Sequence, residues 1–540
     1  MHRRNGGLRR ACFQTCVGWL WAAGTLLCGG AAAAAPGQAL ELCTGAPQNE
    51  QGWTGIEEPG FRLFPEGDRG FALASSQPAG GALPASPDRW LGLPPPCDSG
   101  NPPAPTAAPK KHFWVAAAEV FGWNLGEWLI ERYILKEPFA YISLDTWRAN
   151  LRTGLVYDHV DDFATNQALH PFQGGIYYNS GRANGFNFWE SALFATAGSL
   201  MWEYFGENEA ASLNDVLNTS LGGTVTGEVS YRLATMLLDN TASGSSRLWR
   251  EIGGFVLNPM GEFNRLVRGE TGKDFPNPED RMPAGFSADL YAGYQRLNDG
   301  PPSVVLYPNQ GLLGVMIHYG DPFSGENRKP FDYLEMLLEV YPSSGPVGIN
   351  WQERGLLASW EISSSAAAEH RLGLFMGYEY TDNQSQIFST QAFSADLLSR
   401  FPLSRGLELR TEIIGVGFPV TALQANDTRY EYSPAGRPYD YGVGGGVRSL
   451  ARLEREGLNY LWIGYEALWV HTTSGASAPG SEVSLSSRLQ SLRLEGRLPV
   501  YGSMSLGAGW TWNDRVTVYP DRTAEVQGAQ WRAFVSWLLH

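Results

Sequence analysis

From about residue 284 to the end, the chain alternates apolar and polar side chains with a period of two. Successive side chains of a strand point to opposite faces, so few folds are open to such a segment. In "RLGLFMGYEY", Leu372, Leu374, Met376, Tyr378 and Tyr380 share one face, and Arg371, Gly373, Phe375, Gly377 and Glu379 share the other. "SMSLGAGWTW" sets Met504, Leu506, Ala508, Trp510 and Trp512 against serines, glycines and a threonine. "LELRTEI" and the last segment, with Trp531, Ala533, Val535, Trp537 and Leu539 on one side, repeat the pattern. A soluble sandwich or lipocalin-like barrel would bury the apolar face, whereas a transmembrane barrel turns it to lipid and keeps charge inside. Runs of about ten residues suit a tilted crossing, Tyr and Trp gather near strand ends as in an interfacial girdle, and the polar faces carry small residues punctuated by charge. The chain also ends inside an alternating segment, although on His540 rather than an aromatic. Twelve segments are expected as strands: 286–297, 311–319, 331–341, 354–363, 370–381, 386–399, 406–420, 438–452, 458–472, 481–495, 501–513 and 526–539. An even number is what a single-chain bacterial barrel requires.

The other end of the chain addresses compartment. Arg3, Arg4, Arg9 and Arg10 precede the apolar stretch "VGWLWAAGTLLCGGAAAAA", so residues 1–35 read as a secretory signal with cleavage near Ala34. Residues 36–109 are rich in Pro, Gly, Ala and Ser and read as a disordered linker. Of five cysteines, Cys12, Cys16 and Cys28 fall in the signal, leaving Cys43 and Cys97. These can pair in an oxidising envelope, a closure contributing roughly 4 kcal/mol in the chain-entropy model. The formal charge of −15 argues against nucleic acid as a partner. Outer-membrane lipid and the outer-membrane assembly machinery are the expected partners, and the localisation expected is the Gram-negative outer membrane with the N-terminal part periplasmic.

Between these ends, residues 110–270 follow a helical period. The apolar run Ser191 to Trp202 has only 12 residues, too short to span a bilayer as a helix. The fold class expected is therefore α+β: a helical domain at 110–270, then a transmembrane antiparallel barrel of about twelve strands at 284–540. Trp123, Trp128, Trp189, Trp202 and Trp249 need a partner surface, because about 160 residues bury only a modest core alone. The helical unit is expected at the periplasmic mouth of the barrel or partly inside its lumen, held by Glu203 and Glu207.

The blocks "HPFQGGIYYNSGR" (His170 to Arg182), "GSLMWEYFGE" (Gly198 to Glu207), "SLNDVLNT" (Ser212 to Thr219) and "GGTVTGE" (Gly222 to Glu228) occur in that order. In these blocks the chain resembles the bacterial envelope family known as domain of unknown function 3943, and "HRLGLFMGYEY" (His370 to Tyr380) is similar to that family's barrel portion. The likeness spans roughly 140 to 420. It implies a helical domain followed by an outer-membrane barrel, and it implies no activity.

The polar residues of the helical region have both structural and functional readings. Asn187 with Glu190, and Ser212 with Asp215, have the spacing of helix caps. Glu228 and Arg232 lie four residues apart and can pair. Gly222, Gly223 and Gly227 put small residues on one helical face, open to close approach by a neighbour. His170-Pro171 reads as the end of one element, with Asn187 starting the next helix. Thr196, Ser199, Glu203 and Glu207 form a polar stripe on an apolar helix, with His170, Arg182 or Arg232 as expected partners. His170, Glu203 and Glu207 are the candidates for catalysis, and Arg182, Ser199, Asp215, Glu228 and Arg232 for a structural or binding network. No metal site is expected, since no second histidine stands at ligand spacing, and no cofactor, since no phosphate loop or dinucleotide fingerprint occurs. The lumen of the barrel is expected to present Arg371, Glu379, Glu408, Arg410, Glu412, Arg493, Glu495 and Arg497. A mixed-charge lumen suits a weakly selective pore or a salt-bridge network that closes it. The expectation is a channel, transport or structural protein of the envelope rather than an enzyme; a lipid-modifying enzyme and a soluble periplasmic β-protein are the alternatives.

Overall fold

The computed structural model describes residues 110–539 except 158–162, 279, 299–307, 326–328, 384, 405, 425–438, 456 and 475–483. The expected signal peptide, linker and cysteine pair, and His540, lie outside the described residues.

Twelve antiparallel strands close on themselves in chain order: β1 (Phe286–Asn298), β2 (Asn309–Tyr319), β3 (Leu334–Tyr341), β4 (Gly348–Ser364), β5 (Glu369–Asp382), β6 (Ile387–Ser404), β7 (Leu407–Gln424), β8 (Tyr439–Arg455), β9 (Leu458–Thr472), β10 (Ser486–Tyr501), β11 (Met504–Val518) and β12 (Thr523–Leu539). Closure runs through β1 and β12, from Ala288 opposite Leu539 to Asn298 opposite Ala529. Closing the sheet removes the unpaired edge that no lipid could satisfy. The turns after β6, β8 and β10 are two residues long and contain Gly406, Gly457 and Gly502 at positive φ, the conformation that tight hairpins require and glycine supplies. The chain enters β1 and leaves β12 at this same short-turn end, and the long connections after β1, β7 and β9 lie at the other.

Ahead of the barrel come α1 (Phe113–Leu129), α2 (Leu144–Thr153), α3 (His170–Ala183), α4 (Phe188–Phe205), α5 (Leu213–Leu217), α6 (Gly223–Leu237), α7 (Gly244–Leu257) and α8 (Pro259–Val267). Asn187 caps α4 reciprocally with Glu190, and Ser212 caps α5. Residues 170–183 are not the element boundary expected from His170-Pro171. They form α3, a largely buried helix that continues a π turn, with Pro171 in its first turn, where a missing N–H costs nothing. Tyr177 and Tyr178 are fully buried on it. Helices α3 and α6 touch backbone to backbone. A Cβ on Gly174 would stand 1.9 Å from the Thr219 carbonyl oxygen, and one on Gly223 would stand 2.4 Å from Gly174.

The helical unit does not occupy the barrel mouth or the lumen, as the sequence had suggested. It packs against the outside of the wall, and one hydrophobic core joins Tyr178, Val225 and Leu233 to the outward-facing Val315, Met336, Trp351 and Tyr378. On β5 the outward residues Met376, Tyr378 and Tyr380 are buried, while Leu372 and Leu374, on the same face, are exposed. Leu290 of β1 stands between Val315 and Trp537; Val315 is covered, and Trp537 is 52% exposed. The helices therefore sit at the height of the apolar band that the barrel shows elsewhere. This also explains why β4 begins at Gly348, six residues before the alternation becomes legible: its outward face there carries Ile349, Trp351 and Glu353, directed at helices rather than at lipid.

The helical unit is itself apolar outside and polar inside. Trp114, Ile134, Trp189, Leu193, Trp249 and Val267 are at least half exposed, while Asn166, Asn214, Asn218, Glu203 and Glu228 are buried. Among the described residues no helix is long and apolar enough to cross a membrane.

Candidate functional site

The lumen is lined by the polar face of every strand, and charge concentrates at mid-height. Arg354 of β4 donates to Glu335 (2.6 Å), Asp396 (3.0 Å) and Glu412 (2.6 Å). Arg452 of β8 donates to Glu335 at 3.0 Å and to Glu412. A second cluster joins Asp289, Glu339, Glu495, Arg493, Arg497 and Arg532: Arg532 donates to Glu339 at 2.7 Å and also meets Glu495, and Arg497 meets Asp289 and Glu495. Tyr291, Tyr341 and Asn350 all donate to Glu339. Two contacts cross the lumen. Arg452 reaches Glu335 between β8 and β3, and Arg493 comes within 3.8 Å of Glu339 between β10 and β3. In each case the two strands are five places apart in a ring of twelve, so the side chains bridge opposite walls. Beside these clusters lies a cavity of about 340 Å³, bordered by Glu379, Arg448, Glu466 and Trp462.

The short-turn end is closed differently. The connection after β2 folds inward, and Phe323 packs with Tyr333, Leu356, Phe375 and Leu398. Its ring lies 4.8 Å from the Arg400 guanidinium and 5.9 Å from that of Arg410.

Of the eight residues expected in the lumen, Glu379, Arg493, Glu495 and Arg497 line the cavity, and Glu412 lies between Arg354 and Arg452. Arg371 pairs with Glu369, and Arg410 with Glu408 and Glu454, nearer the short turns. Sequence reading missed Asp289, Glu335, Glu339, Arg354 and Arg452. In β3, "LEMLLEVY" places Glu335 and Glu339 on one parity, a signal legible once β3 is recognised as a lumen-lining strand.

The polar residues of the helical unit gather around Glu228, His170 and Glu203. Glu228, with no exposed side-chain surface, accepts from Tyr178 (2.7 Å) and Arg232 (2.7 Å) and pairs with Arg182 (3.0 Å). Arg232 goes on to Asp332 (2.9 Å) and the Pro330 carbonyl (2.7 Å), which ties α6 to the connection after β2. His170 contacts Thr219 (3.0 Å) and stands 3.7 Å from Asp215. Glu203, 1% exposed, accepts from the Ser212 backbone N–H at 2.7 Å. Ser212, whose hydroxyl accepts from the Asp215 N–H, stands between Glu203 and the Asp215 that faces His170, and Arg182 and Arg232 turn to Glu228. Thr196 bonds within its own helix, and Ser199 is buried. The Glu207 backbone carbonyl accepts from Asn150. A carboxyl that sequence reading passed over, Glu127, accepts from Gln173 at 2.6 Å, and burial pushes it up to about 7. At the far end, Asn166 and Gln167 donate to the hydroxyls of Tyr439 and Tyr441 on β8.

Residues 154–260, which supply α3 to α7 and the polar groups beneath them, match the family described as "Domain of unknown function (DUF3943)". This segment carries the DUF3943 match. The match ends before β1, so the likeness of His370–Tyr380 to the family rests on the sequence reading alone. No curated protein matches the chain. Solved structures similar to it include the NanC porin (8% identity, 46% of this chain and 98% of that one, TM-score 0.24). A loop-deletion mutant of OmpT, an outer-membrane protein of Vibrio cholerae, matches at 9% identity over 47% of this chain and 98% of that one, with a TM-score of 0.21. LpxR from Salmonella typhimurium matches at 10% identity over 46% and 99%, with a TM-score of 0.22. The architecture stands on the strand pairing of this chain: a closed twelve-stranded barrel with the segment that matches DUF3943 packed on its wall.

Proposed function

We propose that this chain resides in the outer membrane of a Gram-negative bacterium and serves as a closed barrel scaffold that holds the DUF3943 domain in the bilayer, rather than as a diffusion pore. The observation that carries the reading is the pair of wall-to-wall contacts, Arg452 to Glu335 and Arg493 to Glu339. Buried ion pairs of this kind cost several kcal/mol to break on one side, so they obstruct the lumen persistently. Exposed Trp360, Ile413, Trp469, Leu498 and Trp531 give the wall the surface of a lipid-facing barrel. The short-turn end faces the periplasm in this reading. His112 bonds to Asn184 beside the Arg182 group, and the chain from α8 to β1 returns at the same end, so the N-terminal segment enters from the periplasm. Partners are the surrounding lipid and the outer-membrane assembly machinery that inserts the barrel.

Single-channel recording in planar bilayers tests the scaffold. Full-length protein and protein lacking residues 110–270 should both show no steady conductance, because the obstruction belongs to the barrel. The double substitution Arg452→Ala and Arg493→Ala should introduce one. Steady conductance of the unaltered full-length protein would overturn the reading in favour of a channel.

A further inference from the structure

Between α3, α6, α7 and the outer wall lies a slot of about 300 Å³, within the size range of small-molecule sites. Its sides are apolar: Ile176, Val229, Leu233, Val315, Ile317 and Met336. Its wall also holds one carboxyl, Glu353 of β4, 4% exposed. The outward parity of β4 places Glu353 between Met336 and Tyr378, whereas Arg354, the next residue, turns to the lumen clusters. Glu353 Oε2 and the neighbouring Trp351 Nε1 are both buried without a well-formed hydrogen bond, the Trp351 indole being the donor that faces the carboxyl. Leaving a buried polar atom unpaired costs about 1–3 kcal/mol, and natural sites that tolerate it have a use for the atom. An apolar wall would not otherwise carry Glu at this position, since leucine would fill it at no such cost.

The rim of the slot shows where an occupant would come from. Phe255 lines it and is 53% exposed, continuous with Leu248, Trp249 and Ile252 on the same helix. Polar rim groups are few, Asn179, Ser230 and Asn258, and they bond one another or the Gly227 carbonyl. A water-soluble ligand would have to cross this apolar collar. A membrane amphiphile would not.

We infer that the slot binds one hydrocarbon chain of a membrane amphiphile, whose hydroxyl group Glu353 takes as a hydrogen-bond partner. This rests on the reading that the DUF3943 domain lies at bilayer height. A hydroxyl both donates and accepts, so it can satisfy the carboxyl, and its chain fills the apolar sides.

The test uses full-length protein in lipid nanodiscs and a monoacylglycerol with a diazirine in its acyl chain, with the labelled peptides mapped by mass spectrometry. Labelling is expected on α6 and α7 around Val229 and Phe255, competed by unlabelled monoacylglycerol and roughly ten-fold less by the analogue whose hydroxyls are methylated. Glu353→Leu should abolish that discrimination while keeping heat-modifiable migration, and Val229→Trp, which fills the slot, should abolish the labelling itself. Equal competition by the unlabelled monoacylglycerol and its methylated analogue in the unaltered protein, or labelling spread along the whole wall, would overturn the inference and leave the scaffold standing. A helical unit that takes no label at any position would instead remove the bilayer placement on which both depend.

Discussion

Glu228 and Glu203 are both buried carboxylates of the helical unit, yet their partners make their removal unequal. Glu228 compensates Arg182 and Arg232 and accepts from Tyr178. Glu228→Ala therefore removes the carboxylate that buried Arg182 and Arg232 share, leaving Arg232 its pair with Asp332, and should cost about 3–5 kcal/mol. Glu203 receives the Ser212 N–H at the start of α5, and Glu203→Ala leaves that donor unpaired for about 1–3 kcal/mol. Limited proteolysis of the two variants should show cleavage within residues 110–270, earlier for Glu228→Ala, with heat-modifiable barrel migration intact in both. Cleavage no faster than in the parent would show that neither carboxylate holds the domain. Sequence reading singled out Glu203 as part of a polar stripe on an apolar helix and Glu228 by its spacing from Arg232. It could not assign partners, because Arg182, Arg232 and Ser212 reach them only through the packing of α3, α4 and α6.

At the scale of elements, that crossing depends on glycine. Gly174 and Gly223 let α3 and α6 approach until a single added methyl would overlap backbone, and backbone cannot yield as a flexible side chain does. Gly174→Ala improves helix propensity by about 1 kcal/mol but should lose more than that through overpacking, about 1–3 kcal/mol net. Thermal unfolding of the helical signal should shift down in Gly174→Ala and up in Gly122→Ala, where a Cβ meets nothing and only the propensity gain remains. An unchanged midpoint in Gly174→Ala would refute the tight crossing. The strands were legible wherever one face meets lipid and the other the lumen. They were not legible at 348–353, where the outward face meets helices and carries Glu353, so that the alternation breaks down. Nor was α3 legible as a helix: with Gly174, Gly175 and Pro171, its propensity is poor, and burial on all sides leaves no amphipathic stripe.

For the molecule as a whole, a helical unit at bilayer height should be bathed in acyl chains. Trp189 and Trp249 are 57% and 50% exposed on its outer surface, so phospholipids brominated along the acyl chain should quench them. The quenched fraction should fall in the Trp189→Phe and Trp249→Phe variants, and equal quenching in parent and variants would place the unit outside the bilayer. The closed barrel, the helical region ahead of it and the parity of Glu379, Glu412, Arg493, Glu495 and Arg497 were all determined by the sequence, because a period of two and a limit on helix length are local properties that each segment carries alone. Where the helices sit, which arginines bridge opposite walls and what faces Glu353 were decided only by the tertiary structure. An apolar face reads the same whether lipid or a helix covers it, and a carboxylate's partner is set by strands and helices that meet across hundreds of residues.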